Sequence, residues 1–175
     1  MKKGFLQVYT GNGKGKTTAA FGQAFRAYGR GFKVGVVQFM KSWITGEVLL
    51  AQKLENFELI RIDTSTKFTW EMTPEELENL KQTVRKGFFE LTKLIAENKF
   101  DLLVIDEFNH LIVQNFITKD EVLQFIDAKP ETMELLLTGR NAPDWLIERA
   151  DLVTEMKPIK HYFDKGVDAR VGIEN

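Results

Sequence analysis

Short apolar runs alternate along this chain with longer segments in which hydrophobic residues recur every three or four positions. The short runs favour β-strands, and the amphipathic segments favour helices that cover them. Such alternation is typical of a parallel sheet with helices packed on it. Two of the runs are apolar almost throughout, as expected of strands buried on both faces. The strand candidates are residues 4–9, 33–39, 57–62, 102–106, 133–138 and 152–155.

Two helices are marked most clearly by the pattern. Residues 16–28 carry apolar side chains on one face, which predicts a helix lying against the sheet. Residues 74–98 predict the longest helix, because Thr73 can serve as its N-cap and Glu76 completes a capping box. Thr118 opens the same signature before a shorter helix.

A glycine-rich segment, TGNGKGKTT, stands between the first predicted strand and the first predicted helix. Its three glycines let the backbone curl so that successive N–H groups face one concavity, which attracts phosphate together with the helix N-terminus. Lys16 adds a mobile cation, and the Thr17 hydroxyl suits a Mg²⁺ ion carried by a nucleotide. The usual pattern opens with glycine, whereas this chain has Thr10. The predicted nucleotide-binding residues of this loop are Thr10, Gly11, Asn12, Gly13, Lys14, Gly15, Lys16, Thr17 and Thr18.

Composition narrows the class of protein. A chain of 175 residues with 43% hydrophobic and 28% charged residues suits one globular domain, residues 1–175. With the phosphate loop, the predicted fold class is α/β: a P-loop NTPase-like (recombinase-type) three-layer sandwich with a mostly parallel central sheet of about six strands. A net charge of −1 gives no overall attraction to nucleic acid or membrane, so neither partner is expected. The absence of cysteine excludes disulfides and thiolate catalysis. No targeting segment is recognisable, and we expect a cytoplasmic protein.

Several charged residues are candidates for the rest of the nucleotide site. Asp106 and Glu107 end a buried strand candidate, where a carboxylate can hold Mg²⁺ directly or through water, and at least one should do so. Arg140 follows the fifth strand candidate and either reaches the phosphates or forms a surface salt bridge. Arg26, on the first helix, either approaches the triphosphate or is solvated.

Phe68 and Trp70 precede the longest helix and are two residues apart, so an extended backbone points both rings the same way. Met72 already fills the hydrophobic-staple position, which leaves the two rings without a local structural role. Packing in the core and contact with a flat apolar ligand or partner are both open. Trp43 is either a loop anchor or part of the site. His110 has no second ligand at metal spacing, and an ordinary structural histidine is expected.

Taken together, these segments resemble the ATP:corrinoid adenosyltransferases of the cobalamin pathway, the single-domain P-loop family. The resemblance extends in order over nearly the whole chain and includes the unusual Thr10. The segments that carry it are TGNGKGKTTAA (10–20), VGVVQFMK (34–41), GE (46–47), FTWE (68–71), VIDE (104–107), TGR (138–140) and the tail with KH (160–161), FD (163–164) and Gly166.

The resemblance implies that a cobalt(I) corrinoid attacks C5′ of ATP and releases tripolyphosphate. Lys16, Phe68 and Trp70 are then the catalytic residues, with the two rings on the lower face of the corrin. Glu107 and Thr17 resemble the metal-binding pair, with Asp106 as a further candidate. The resemblance also implies ATP, Mg²⁺ or Mn²⁺ and a corrinoid as ligands, a reduced flavin protein as electron donor, and a homodimer.

Two alternatives remain at this point: a P-loop ATPase or kinase acting at the terminal phosphate, and an inactive corrinoid- or nucleotide-binding module. A biosynthetic corrinoid and salvaged cobalamin are equally open as substrates. The chain begins almost at its first strand, so we expect no N-terminal helical extension of the kind frequent in the family.

Overall fold

Six strands form one sheet at the centre of the molecule. The computed structural model describes residues 3–41, 43–62, 67 and 69–174. Every strand pairing within that part of the chain is parallel, and the order across the sheet is β3-β2-β4-β5-β1-β6. The strands are β1 (Leu6–Thr10), β2 (Val34–Phe39), β3 (Phe57–Ile62), β4 (Leu102–Asp106), β5 (Glu134–Thr138) and β6 (Leu152–Glu155). All six strand candidates are therefore confirmed, with ends shifted by at most two residues.

Helices cover both faces of this sheet. They are α1 (Lys16–Tyr28), α2 (Gly46–Ala51), α3 (Pro74–Ala96), α4 (Phe108–Val113), α5 (Lys119–Asp127) and α6 (Asp144–Arg149), with short 3₁₀ turns at Thr69–Glu71 and Tyr162–Lys165. The capping boxes predicted at Thr73 and Thr118 are both formed. The three six-residue helices were not predicted as such, because fewer than two turns carry too little periodicity.

One hydrophobic core lies on each face of the sheet, so the structure has the predicted three layers. On one face, α1 packs Phe21 and Ala24 against apolar side chains of β2, β4 and β5. On the other face, α3 and α5 pack Phe88 and Phe125 against the alternate side chains of the same strands. Strands with apolar residues on both faces are therefore covered on both faces, which fits their continuous hydrophobic sequence. In the described residues, no helix combines the length and apolar character needed to cross a bilayer.

The parallel arrangement brings the carboxyl ends of all six strands to one edge of the sheet. The phosphate loop follows β1 there, and the segments after β2, β4 and β5 lie beside it. In open α/β sheets this edge is where ligands bind. The functional residues predicted from separate segments of the sequence consequently meet at one edge.

Candidate functional site

The phosphate loop is packed against the segment that follows β6. Gly11 and Gly15 adopt left-handed φ values of 94° and 115°. A Cβ on Gly13 would lie 2.7 Å from the carbonyl oxygen of Met156, so only glycine fits. The Gly13 N–H donates to that same oxygen at 2.7 Å and does not face the concavity. The N–H of Gly13 is therefore bonded within the protein, and the lack of a side chain at Gly13 allows this close packing.

A cavity of about 600 Å³ opens above this loop, which is within the usual size range of ligand sites. Its wall includes six predicted nucleotide-binding residues of the loop: Asn12, Gly13, Lys14, Gly15, Thr17 and Thr18. Lys16 also lines it, and its Nζ donates to the Gly13 carbonyl at 2.7 Å. Burial, followed by the nearby charge of Arg140, lowers the pKa of Lys16 below its usual value. An anion entering the cavity would relieve both effects.

Asp106 is the fully buried centre of a hydrogen-bond cluster beneath the cavity. Its Oδ1 accepts from the hydroxyls of Thr138 (2.6 Å) and Thr17 (3.0 Å). Its Oδ2 accepts from Gln38 Nε2 (3.1 Å) and Lys41 Nζ (2.7 Å). Burial alone raises the pKa of the Asp106 carboxyl, but the charge of Lys41 and these hydrogen bonds outweigh it and hold the pKa below its usual range. The carboxylate is thus kept ionised.

The oxygens in this cluster are of the type that Mg²⁺ prefers. Thr17 Oγ1 and Asp106 Oδ1 are 3.0 Å apart, and the Glu107 side chain lies on the wall of the same cavity. No group of three or more His, Cys, Asp or Glu residues that could hold a metal occurs among the described residues. Mg²⁺ commonly binds through one or two protein ligands plus nucleotide phosphates and water, so the residues fit an ion that arrives with a nucleotide.

Backbone strain is concentrated at this edge of the sheet. Among the described residues other than glycine and asparagine, left-handed φ values occur at Met40 (49°) and Glu107 (60°), directly after β2 and β4. Such conformations cost free energy and persist where the surroundings enforce them. The Glu107 N–H donates to Thr138 Oγ1 at 3.1 Å, which holds the strained residue in place.

A second cavity, of about 290 Å³, adjoins the first. Its wall includes the apolar side chains of Met40, Met72 and Leu80, together with Trp70, which is 76% exposed. His110 also lies on this wall, 3.4 Å from the amide nitrogen of Gln114, a position that its predicted structural role did not anticipate. Phe68 lies outside the described residues.

Three charged side chains line both cavities: Lys41, Glu107 and Arg140. They mark the junction where a ligand in one cavity would meet a ligand in the other. Arg140 was predicted either to reach the phosphates or to form a surface salt bridge, and the structure places it on both walls. Lys41 was missed as a site residue, because nothing in its local sequence distinguishes it from a surface lysine.

Three predicted nucleotide-binding residues do not line the cavity: Thr10, Gly11 and Arg26. Arg26 is in the last turn of α1, about 15 Å along the helix axis from Lys16. Its side chain is exposed and donates to Gln23 at 3.4 Å. Thr10 is buried, and its hydroxyl accepts from the N–H of Ala142 at 3.1 Å. Thr10 therefore ties the phosphate loop to the segment that follows β5.

The tail of the chain closes one side of the first cavity. Lys14 Nζ donates to the Tyr162 hydroxyl (2.9 Å), to a carboxylate oxygen of Glu174 (2.7 Å) and to the carbonyl of Ile173 (2.9 Å). Arg170 also pairs with Glu174 and lies over the Tyr162 ring. The tail, which carries part of the family resemblance, therefore packs on the phosphate loop.

A family model described as ATP:corrinoid adenosyltransferase BtuR/CobO/CobP matches residues 2–175. The corrinoid adenosyltransferase of Escherichia coli strain K12 is 38% identical over 175 residues, which cover 99% of this chain and 86% of that protein. The corrinoid adenosyltransferase CobA of Salmonella typhimurium strain LT2 is 37% identical with the same coverage. The corrinoid adenosyltransferase of Pseudomonas aeruginosa PAO1 is 37% identical over 174 residues, covering 99% of this chain and 84% of that protein.

Among solved structures, a DNA replication initiation factor overlaps 87% of this chain and 40% of its own length, with a TM-score of 0.42 and 13% identity. A likeness this weak supports no argument about function.

Proposed function

This chain belongs to the ATP:corrinoid adenosyltransferase family, and on that premise we propose how its two adjoining cavities carry out the family's reaction. The enzyme transfers the adenosyl group of ATP to a corrinoid. In our proposal the cavity above the phosphate loop takes the triphosphate, and the cavity beside Trp70 takes the corrinoid. The observation that carries the proposal is their shared wall of Lys41, Glu107 and Arg140.

The reaction needs C5′ of ATP to lie at this junction. The electron pair of cobalt(I) forms the cobalt–carbon bond, the C5′–oxygen bond breaks, and its electron pair leaves with tripolyphosphate. Cobalt(I) becomes alkylated cobalt(III), and ATP loses its adenosyl group. Because cobalt supplies the nucleophile, no protein base is required. A site whose charged residues are mainly cations and metal-suited oxygens therefore fits this reaction.

Leaving-group stabilisation falls to the phosphate loop. Lys16 exchanges its Gly13 carbonyl partner for a phosphate oxygen, and Arg140 approaches from the junction. Thr17 would hold a Mg²⁺ ion brought with ATP, with Asp106 and Glu107 as the nearby carboxylates, and the ion would supply positive charge to offset that of the tripolyphosphate leaving group. Cations fixed around a developing negative charge stabilise it far more in a partly buried site than they would in water.

Trp70 lies where an aromatic ring can cover one face of a flat macrocycle. With Phe68, whose role rests on the sequence resemblance, it would exclude a lower axial ligand and so make cobalt(II) easier to reduce. The exposed ring has a large apolar surface available for such a ligand. Flexible Met40 and Met72 can adapt to the uneven edge of a corrin.

A separate electron donor and a second copy of the chain complete the proposal. Reaching cobalt(I) requires a strong one-electron donor, and we propose a reduced flavin protein for this role, as the family resemblance implies. A homodimer is supported by apolar Leu152 and Val153, which are exposed on the edge strand β6. The cytoplasm, where ATP is made, is the proposed location.

The proposal is tested with ATP, Mg²⁺ and chemically reduced cobalamin. We expect the light-sensitive spectrum of an adenosyl–cobalt bond and one tripolyphosphate per adenosyl group transferred. Lys16→Ala should lose the activity, while Lys93→Ala, an exposed ion-pair lysine on α3, should retain it. Release of ADP or orthophosphate without alkylation of cobalt would contradict the proposal and favour an ATPase or kinase.

A further inference from the structure

The ammonium of Lys41 lies where a metal ion would be held. Its Nζ is 2.8 Å from Thr17 Oγ1 and 2.7 Å from Asp106 Oδ2. Thr17 Oγ1 in turn donates to the other oxygen of the same carboxylate at 3.0 Å. One cation, one hydroxyl and one carboxylate therefore form a closed ring. The hydroxyl and the carboxylate are the oxygens that fit Mg²⁺ in the proposed function.

We propose that Lys41 holds the Mg²⁺ position in the nucleotide-free enzyme and yields it when the metal enters with ATP. The proposal rests on the magnesium–ATP site of the proposed function. Lys41 is a positioning residue in this role: it keeps Thr17 and Asp106 arranged for a cation before the cation arrives.

Charge explains why the metal should need the nucleotide. In the immediate group around Asp106, three cations (Lys16, Lys41 and Arg140) lie near two carboxylates (Asp106 and Glu107). A divalent ion entering alone would add two further positive charges beside Lys41, which like-charge repulsion opposes. A bound triphosphate adds several negative charges, so positive charge is no longer in excess. Its phosphate oxygens also offer the Lys41 ammonium new partners.

The geometry allows the side chain to leave while its backbone stays in place. Arg61 donates to the carbonyl oxygen of Lys41 and, at 3.0 Å, to that of Trp43. The Met40 N–H donates to Ile62 at 3.0 Å. The loop is thus tied to β3 on both sides of Lys41, while the four-carbon stem of lysine is flexible. Because Lys41 also lines the second cavity, a displaced ammonium has the junction within its reach.

Lys41→Met tests the exchange, because methionine keeps an apolar stem and removes the cation. In wild type, Mn²⁺ alone should bind weakly by electron paramagnetic resonance and should barely change the melting temperature. Lys41→Met should melt at a lower temperature in EDTA, because Asp106 is left buried without a cation. It should also bind Mn²⁺ alone at least about tenfold more tightly than wild type and regain melting temperature with the metal. Lys93→Met is the matched control and should behave as wild type does.

Each result decides one question. If Lys41→Met binds MnATP but gains no affinity for Mn²⁺ alone, Lys41 is a permanent structural ion pair and the inference is wrong. If wild type itself fails to bind MnATP, the proposed nucleotide site fails instead. Should Lys41→Met not fold in EDTA, Lys41→Gln keeps a donor for Asp106 without the charge and is titrated in the same way. An unchanged Mn²⁺ affinity in both variants would also overturn the inference.

Discussion

The two cavities of this enzyme differ in how their walls are built. The phosphate side is made of strand ends and the loop after β1, and its central carboxylate, Asp106, is fully buried and accepts four hydrogen bonds. The second cavity shares Lys41, Glu107 and Arg140 with the first. The rest of its wall includes methionines and an exposed tryptophan from the segments after β2 and before α3. A triphosphate carries charges at fixed positions, and cations and N–H donors held rigidly around them stabilise them best. A large apolar ligand is better served by an adaptable surface.

Lys16→Ala, in the cavity above the phosphate loop, is the strongest test of this difference between the two cavities. We expect adenosyl transfer to fall by roughly 10²–10³-fold or more, because one preorganised charge on the leaving group is lost. The loss should be the same whether the assay starts from cobalt(I) or cobalt(II). Initial rates of adenosyl–cobalt formation measure it. A loss confined to cobalt(II) assays would mean that Lys16 acts in reduction and would break the distinction between the cavities.

Thr138→Val tests how far rigidity on the phosphate side depends on hydrogen bonding. The change removes the donor to Asp106 and the acceptor for the Glu107 N–H, so unfolding free energy should fall by about 1–3 kcal/mol. Urea denaturation measures the change. Thr83→Val on α3, whose hydroxyl bonds only to the carbonyl of Asn79 among the described contacts, should cost less. If both variants lost the same free energy of unfolding, the hydrogen bonds around Asp106 would contribute no more to stability than an ordinary helix-surface bond.

Trp70→Ala tests the adaptable side. Activity from cobalt(II) should fall by about tenfold, a change of about 1.4 kcal/mol, because a lower ligand can return to cobalt. Activity from preformed cobalt(I) should change less than about twofold. The ring is 76% exposed, so the melting temperature should hardly move. An equal loss in both assays would assign Trp70 to corrinoid binding in general.

The smallest effect is expected at Glu121, which caps α5 and pairs with Arg85 of α3 at 2.8 Å, away from both cavities. Burial raises the pKa of Glu121, but the Thr118 N–H and Arg85 outweigh it and the net shift is downward. A lowered folded-state pKa gives stability that is present above the ordinary value of 4.5 and is lost as pH falls through the lower value. Glu121→Gln should therefore cost about 0.5–1 kcal/mol at pH 7.

Below pH 4.5 the difference between Glu121→Gln and wild type should shrink, as measured by denaturation at a series of pH values. Activity of the folded variant should be unchanged at neutral pH. A difference that grows on acidification would contradict the assigned sign.

The sequence predicts features that depend on local patterns better than features that depend on how distant segments meet. Strands and long helices follow from periodicity, and the phosphate loop is a local motif whose meaning depends only on its neighbours along the chain. The packing of Gly13 on Met156 joins segments more than a hundred residues apart, and no local pattern contains it. The partnership of Lys41 with Asp106 depends on β2 lying next to β4, which requires knowledge of the strand order.

The residues of the second cavity carry no local motif, and their role follows mainly from the family resemblance. An aromatic pair before a helix left core packing and ligand contact equally open, and the family likeness gave it a role. The exposure of Trp70 argues against core packing for that residue. His110 was set aside because a single histidine in a helix carries no motif, and only the fold brings it to the cavity wall.

The hydrogen bonds from Lys14 to Tyr162 and Glu174 limit where this enzyme can be modified. A purification tag or fusion partner attached after Asn175 would follow closely on Glu174, which lines the phosphate-loop cavity, and would compete with the tail for Lys14. Residues ahead of β1 lead into the opposite edge of the sheet, because β1 runs from that edge toward the site. Tags, surface tethers and fluorescent reporters should therefore be attached at the N-terminus of this chain.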